Sequence, residues 1–202
     1  MHLILQWLYE HYLEMFAFVF GILGVWLTAK QNIWCWPVGL ANVILSFFVF
    51  FFAKLYADVL LQIFYLVMTI YGWYEWLYGG EKKTKLSIRR IKMNETFILI
   101  SIGGVASMIT GELFSRYTNA ALPYWDSLVA VWGVIATWAM ARKILEHWIM
   151  WIVIDLICTI IYTYKGLYFF TALYFLFVIL AVYGFIVWKK NYSNQPAPAV
   201  SQ

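Results

Sequence analysis

Residues 33–53, IWCWPVGLANVILSFFVFFFA, run for 21 positions without an acidic or basic side chain. About 20 predominantly apolar residues in a helix cross the hydrocarbon of a bilayer, and in lipid every backbone group of that helix is paired internally. Residues 166–188, GLYFFTALYFLFVILAVYGFIVW, meet the same condition over 23 positions. These two stretches set the fold class as an all-α membrane protein. Composition agrees: 64% of the 202 residues are apolar and 12% are charged, whereas about a quarter of a soluble domain is charged. Aromatic residues make up 21% of the chain, which suits two membrane interfaces and a ring-binding cavity between them.

His147 to Tyr164 is a third full-length span, with Asp155 near its middle, and Val59 to Tyr74 is a fourth, flanked by Asp58 and Glu75. Met15 to Ala29, Thr96 to Gly111 and Ser127 to Ala141 are only 15 or 16 residues long and ambiguous singly. Two patterns settle the count at seven. Shifting the chain by 112 positions pairs Gly21 with Gly133, Trp26 with Trp138, Ala29 with Ala141, Trp36 with Trp148 and Leu55 with Leu167. It also pairs Tyr56 with Tyr168, Leu61 with Leu173, Tyr71 with Tyr183, Gly72 with Gly184 and Trp76 with Trp188. A fixed period of this kind marks duplicated structural units.

Charge gives the second pattern. With seven spans, alternate loops collect Lys30, six basic residues from Lys82 to Lys92, Arg142, Lys143, Lys189 and Lys190, leaving only Lys54, Arg116 and Lys165 on the other face. The positive-inside rule then predicts an external N-terminus and a cytoplasmic C-terminus. The N-terminal stretch has no lysine or arginine before Lys30, so the first apolar segment is expected to be retained. A single helix between two three-helix units keeps them parallel, which predicts a 3+1+3 architecture of the SWEET type with substrate bound at midplane between the repeats. The expected organisation is an external segment over 1–14, a three-helix unit over 15–78, a basic cytoplasmic loop over 79–95, a linker helix over 96–113, a second unit over 114–189 and a disordered cytoplasmic tail over 190–202.

An ionised side chain at the bilayer centre is costly and faces the bundle interior, which makes Asp155 the first candidate for function. Trp148, Trp151 and Asp155 stand at i, i+3 and i+7, one helical stripe of two indoles and a carboxylate. An aromatic wall beside a negative charge is a site for a flat organic cation. A neutral, buried or interhelically bonded carboxyl is the competing account of Asp155. Trp148 falls near the interface, so Trp151, a turn deeper, is the better ligand contact. Asn42 lies next to the repeat mate of Asp155, Ser46 one turn beyond it, and Gln62 interrupts the next apolar helix. Each could read hydroxyl or amide groups, or bond helix to helix. Gly39 is the repeat mate of Trp151, so one half offers a ring where the other offers a gap, and Gly39, Ser46 and Trp36, the repeat mate of Trp148, are possible further substrate contacts. His147 is expected at the interface, and Cys35 and Cys158 in packing roles with no metal or cofactor indicated.

The run Leu55-Tyr-Ala-Asp58, Leu60-Leu-Gln62, Tyr71-Gly-Trp-Tyr74 and Trp76 resembles the PnuC family of vitamin transporters. So do Trp125-Asp-Ser127, Ala141-Arg-Lys143, Glu146, Trp148, Trp151 and Lys165-Gly-Leu-Tyr168, and the likeness extends from about Phe16 to Trp188. It implies facilitated diffusion of a B-vitamin or precursor across the bacterial inner membrane, with nicotinamide riboside the first substrate to consider. Retention would come from phosphorylation by a cytosolic vitamin kinase, without ion coupling or ATP. The family's tryptophan motif maps on Trp148 and Trp151 and its polar positions on Asn42 and Gln62. Asp155 departs from it, because nicotinamide riboside members typically carry asparagine there; thiamine, another aromatic cation carried by relatives, could use a carboxylate.

Partners expected on this reading are the vitamin and the lipid bilayer, with no nucleic acid, and with homo-oligomer formation left open. An enzyme is disfavoured because the sequence contains no Walker loop, no His-Glu-x-x-His and no serine elbow. A retinal protein needs a lysine within the last helix, and 166–188 has none. A seven-helix receptor stays open as the alternative of another class.

Overall fold

The structure, a computed structural model, describes residues 2–54, 56–118 and 121–195. Seven α-helices account for nearly all of them: α1 (His2–Ala29), α2 (Cys35–Phe52), α3 (Tyr56–Tyr78), α4 (Met93–Tyr117), α5 (Pro123–Ala141), α6 (His147–Tyr164) and α7 (Tyr168–Ser193). Four of them, α2, α4, α6 and α7, are long and apolar enough to cross a membrane by themselves. The other three are more polar towards their ends, with Glu10 and Glu14 in α1, Asp58 and Glu75 in α3, and Asp126 in α5. Among the described residues there is no strand, only an isolated bridge between Arg89 and Ile144. The chain is a multi-pass membrane protein.

Helix α1 begins at His2, well before the apolar stretch that starts at Met15. No glycine or proline occurs before Gly21, so nothing in the polar leading turns breaks the helix. The basic residues after Arg89 are also not a free loop. Arg89 donates its amide to the Lys143 carbonyl at 3.0 Å and accepts from the Leu145 amide at 2.9 Å. Glu146 takes the Arg90 side chain and the Ile91 amide, each at 2.9 Å, and Ile88 is buried. Glu95 accepts the Lys92 amide and pairs with Arg89, capping α4, and the Arg89 hydrogen bond first and the Lys92 amide second hold its carboxyl down at about 2. At the other end α7 continues through Ser193, so the segment expected to be disordered is helical over its first residues; 196–202 lie outside the described residues.

Six helices close a ring in which α1 packs on α2, α2 on α3, α3 on α5, α5 on α6, α6 on α7 and α7 on α1. Helix α4 stands outside it, against α5. Large apolar side chains cover the periphery, among them Phe48, Leu60, Val67, Ile102, Met108 and Ile179, as a surface solvated by lipid tails requires.

The turns recur with the 112-residue offset. Gln31 and Lys143 both adopt positive φ (53° and 48°), as do Lys54 and Gly166 (59° and 71°). Gln31, Lys143 and Gly166 each end a helix as the left-handed residue of a C-terminal cap, whose following amide returns to the last turn: Asn32 to the Leu27 carbonyl, Ile144 to that of Ala139, Leu167 to that of Tyr162, all at 2.9 Å. The side-chain packing recurs too. Trp36 lies so close over Gly72, and Trp148 over Gly184, that a β-carbon at either glycine would overlap the indole. The Trp76 indole donates to the Met140 carbonyl at 3.1 Å, and the Trp188 indole to that of Thr28 at 3.0 Å. Met140 and Thr28 are themselves 112 apart, so each unit lends the other the same bond.

Candidate substrate site

At the basic end the ring is plugged by tryptophan. Trp76 and Trp188 meet at 5.8 Å between centroids, Trp36 stands edge-on to Trp76 at 5.3 Å, and Trp148 edge-on to Trp188 at 5.8 Å. His147 fills the remaining corner, 4.6 Å from Trp148 and 4.7 Å from Trp188. Expected at the membrane interface, the His147 ring is fully buried within the protein, with Nδ1 2.7 Å from the Ile144 carbonyl. Lys143 completes the plug, its ammonium 4.5 Å from the Trp76 centroid and 2.9 Å from the Leu86 carbonyl. Trp36 and Trp148 thus sit in the packed plug, each only 2% exposed, rather than in an interfacial belt.

Above the plug, α6 presents Trp151, Asp155, Cys158, Tyr162 and Lys165 at spacings of three and four, one face of a helix. Asp155 is 5% exposed, and its carboxylate has no hydrogen bond or ion pair among the described residues. Buried charges are ordinarily paired, so this is a group without its complement. Tyr162 stacks on Tyr174 of α7 at 5.1 Å, and on Phe170 at 5.3 Å. At the end opposite the plug, Lys165 reaches Asp126 at 3.5 Å and lies 6.0 Å from the Tyr162 centroid, and Asp58 feels the charge of Asp126.

Helix α3 carries a second stripe, Asp58, Gln62, Tyr65, Thr69 and Gly72, at the same spacings. Gln62 is partly buried and makes no hydrogen bond among the described residues. Tyr65 reaches across to α5, where a β-carbon at Gly133 would stand 2.9 Å from the phenol oxygen and 3.9 Å from the Trp151 ring. Neither Tyr65 nor Tyr174 was legible as a site residue from hydropathy, since tyrosine counts with the apolar residues of a span. The α3 stripe beginning at Asp58 is the signal that points to Tyr65.

On α2, Asn42 donates to the Ala17 carbonyl of α1 at 2.5 Å, which spends its amino group on a helix contact and leaves its oxygen without a hydrogen bond among the described residues. Gly39 faces the Thr69 methyl, and Ser46 makes no hydrogen bond among the described residues. Gly21, the mate of Gly133, meets Asn42 and Phe177. Trp151, Asp155, Cys158 and Tyr65 therefore share one side of the ring, and Asn42, Gly39 and Ser46 stand on α2 across from α6. Two grooves, of about 330 Å³ between Trp125 and Tyr164 and about 480 Å³ beside Lys189 and Lys190, are lined by none of these residues.

A ring of helices with an unpaired carboxylate beside an indole, closed at one end, has the layout of a carrier, and residues 11–190 match the family model described as nicotinamide mononucleotide transporter. The chain belongs to the nicotinamide mononucleotide transporter family, that of PnuC. Its members are transporters and not enzymes. Nicotinamide riboside transporter PnuC of Escherichia coli (strain K12) is 26% identical over 215 residues, covering 94% of this chain and 90% of that protein. Riboflavin/roseoflavin transporter RibM of Streptomyces davaonensis is 25% identical over 190 residues, covering 93% and 89%. The crystal structure of the vitamin B3 transporter PnuC superposes with a TM-score of 0.75 at 21% identity, over 96% of this chain and 88% of that one, which establishes the PnuC fold for the ring.

Proposed function

We propose that this PnuC-family chain carries a cationic aromatic vitamin, nicotinamide riboside first, through the ring by facilitated diffusion. The observation that carries the reading is Asp155, buried without a partner one turn from Trp151. A pyridinium stacked on the indole would supply the missing positive charge, and cation–π attraction is strongest over tryptophan. Gln62 and the free oxygen of Asn42 would read ribose hydroxyls or the ring amide, with Ser46 and Gly39 bordering the ligand and Trp36 and Trp148 closing the chamber beneath it. The names of relatives support a vitamin as cargo. Thiamine is the second reading, favoured specifically by a carboxylate at Asp155.

The duplicated turns and exchanged indole bonds support two parallel three-helix units flanking α4, related by an axis along the membrane normal as in SWEET carriers. The basic residues at the plugged end support a cytoplasmic placement of that end, with the N-terminus outside. Trapping by a cytosolic vitamin kinase would then make uptake one-way. Purified protein in liposomes tests the mechanism: nicotinamide riboside should fill the lumen to the external concentration and stop. Accumulation above that level driven by a proton or sodium gradient, or no uptake of either vitamin, would overturn it.

A further inference from the structure

The two units place a different side chain at one matched point in the wall. Phe177 approaches Gly21 at 3.9 Å, and its mate 112 positions earlier, Tyr65, approaches Gly133. The fold therefore accepts a plain phenyl ring in this helix contact, and the phenol oxygen of Tyr65 is an addition that packing does not demand. That oxygen has no hydrogen-bond partner among the described residues, and Tyr65 is only partly buried, so its hydroxyl remains available to a ligand. It lies against a residue with no side chain, beside the edge of Trp151. Asp155 and Cys158 follow Trp151 along the same face of α6. The hydroxyl thus borders the place where a ring stacked on Trp151 would present its substituents.

We propose that Tyr65 is a specificity-determining residue whose hydroxyl hydrogen-bonds the polar substituent on the vitamin ring, the carboxamide in nicotinamide riboside. The assignment rests on the proposed function and deepens it. A phenol both donates and accepts, so it can serve either end of an amide. Gly133 makes room for the phenol itself, since a β-carbon there would stand 2.9 Å from its oxygen. Trp151 and Asp155 would recognise ring and charge, which several vitamins share, while Tyr65 would separate rings by what they carry.

The test compares nicotinamide riboside with N-ribosylpyridinium, which has the same charge and sugar without the carboxamide. Both are titrated against the full-length protein in detergent, as wild type and as Tyr65→Phe, with a thermal melt of each. The wild type should prefer nicotinamide riboside. Tyr65→Phe should weaken that ligand by roughly three- to tenfold, leave N-ribosylpyridinium unchanged and melt no lower than wild type. Undiminished nicotinamide riboside binding by the variant overturns the assignment alone, and so does an equal loss for both ligands accompanied by a lower melting temperature. Should the wild type take thiamine instead, thiamine and its analogue without the ring amino group must show the same ratio. Binding of neither vitamin by the wild type removes the proposed function, and the Tyr65 assignment with it.

Discussion

The two halves of the ring, 112 positions apart in sequence, share turns and tryptophan seats but not the side chains that follow them along the helices. Trp36 on Gly72 matches Trp148 on Gly184, and Trp76 bonded to Met140 matches Trp188 bonded to Thr28. Higher in the ring the match fails: Gly39, Val43 and Ser46 on α2 stand where α6 has Trp151, Asp155 and Cys158, and Phe177 where α3 has Tyr65. What is matched holds the helices together, and what has diverged is the set that the proposed function assigns to the cargo. A symmetric frame with one polar wall can bind an unsymmetrical molecule in a single orientation.

The largest expected effects fall on the duplicated part. Trp36→Ala and Trp148→Ala should each cost about 3 to 5 kcal/mol of stability, the usual penalty for emptying a large aromatic site, and by similar amounts because the two seats are alike. Unfolding in mild detergent measures this. A Trp148→Ala protein that melts as wild type yet loses its ligand would move that residue from the frame to the site.

A titration should separate Lys143 from its mate Gln31, which occupies the same left-handed turn without charge. Burial lowers the Lys143 ammonium from 10.5 to about 8, even though the Trp76 face and the Leu86 carbonyl favour the charged form. Between those values the unfolded chain holds a proton that the folded protein has released, so stability rises with pH across that window. Melting temperature should therefore climb between about pH 8 and 10 in the wild type and lose that component in Lys143→Gln. Identical slopes in the two proteins would show that this lysine keeps its ordinary proton affinity.

Asn42→Leu is the smallest of these changes. It removes the bond to the Ala17 carbonyl, and interhelical hydrogen bonds in membranes average about 0.6 kcal/mol. A melting shift of that order with affinity retained assigns Asn42 to the frame; a tenfold loss of ligand at constant stability assigns it to the polar reading of the cargo.

Much of this division could be read in the sequence. The 112-residue offset pairs Trp36 with Trp148, Gly72 with Gly184 and Trp76 with Trp188 in the sequence alone, because packing that is repeated constrains residue identity at both copies, but it does not tell which tryptophan covers which glycine. Asp155 stood out because a carboxylate inside an apolar span has few structural uses. Other features were hidden by physics that hydropathy does not register. Tyr65 reads as one more aromatic residue in a span. His147 and Trp148 look interfacial because they begin a helix, but the strap through Ile88 and Arg89 covers that end and buries them. Ahead of Met15, α1 mixes Leu3, Ile4, Leu5 and Trp7 with Glu10, His11 and Glu14, so hydropathy marks no helix start there.

The central claim is that the diverged wall of the second unit recognises an aromatic cation through Asp155 and Trp151. Titrating nicotinamide riboside and thiamine against folded Asp155→Asn, with Trp151→Ala beside it, tests this most directly. Asparagine keeps the shape and removes the charge, so thiamine should lose affinity more than nicotinamide riboside. Trp151→Ala should weaken both by about 0.5 to 2 kcal/mol before lost packing is counted. Unchanged binding of each vitamin to both variants would place the site elsewhere and leave these two residues to the frame.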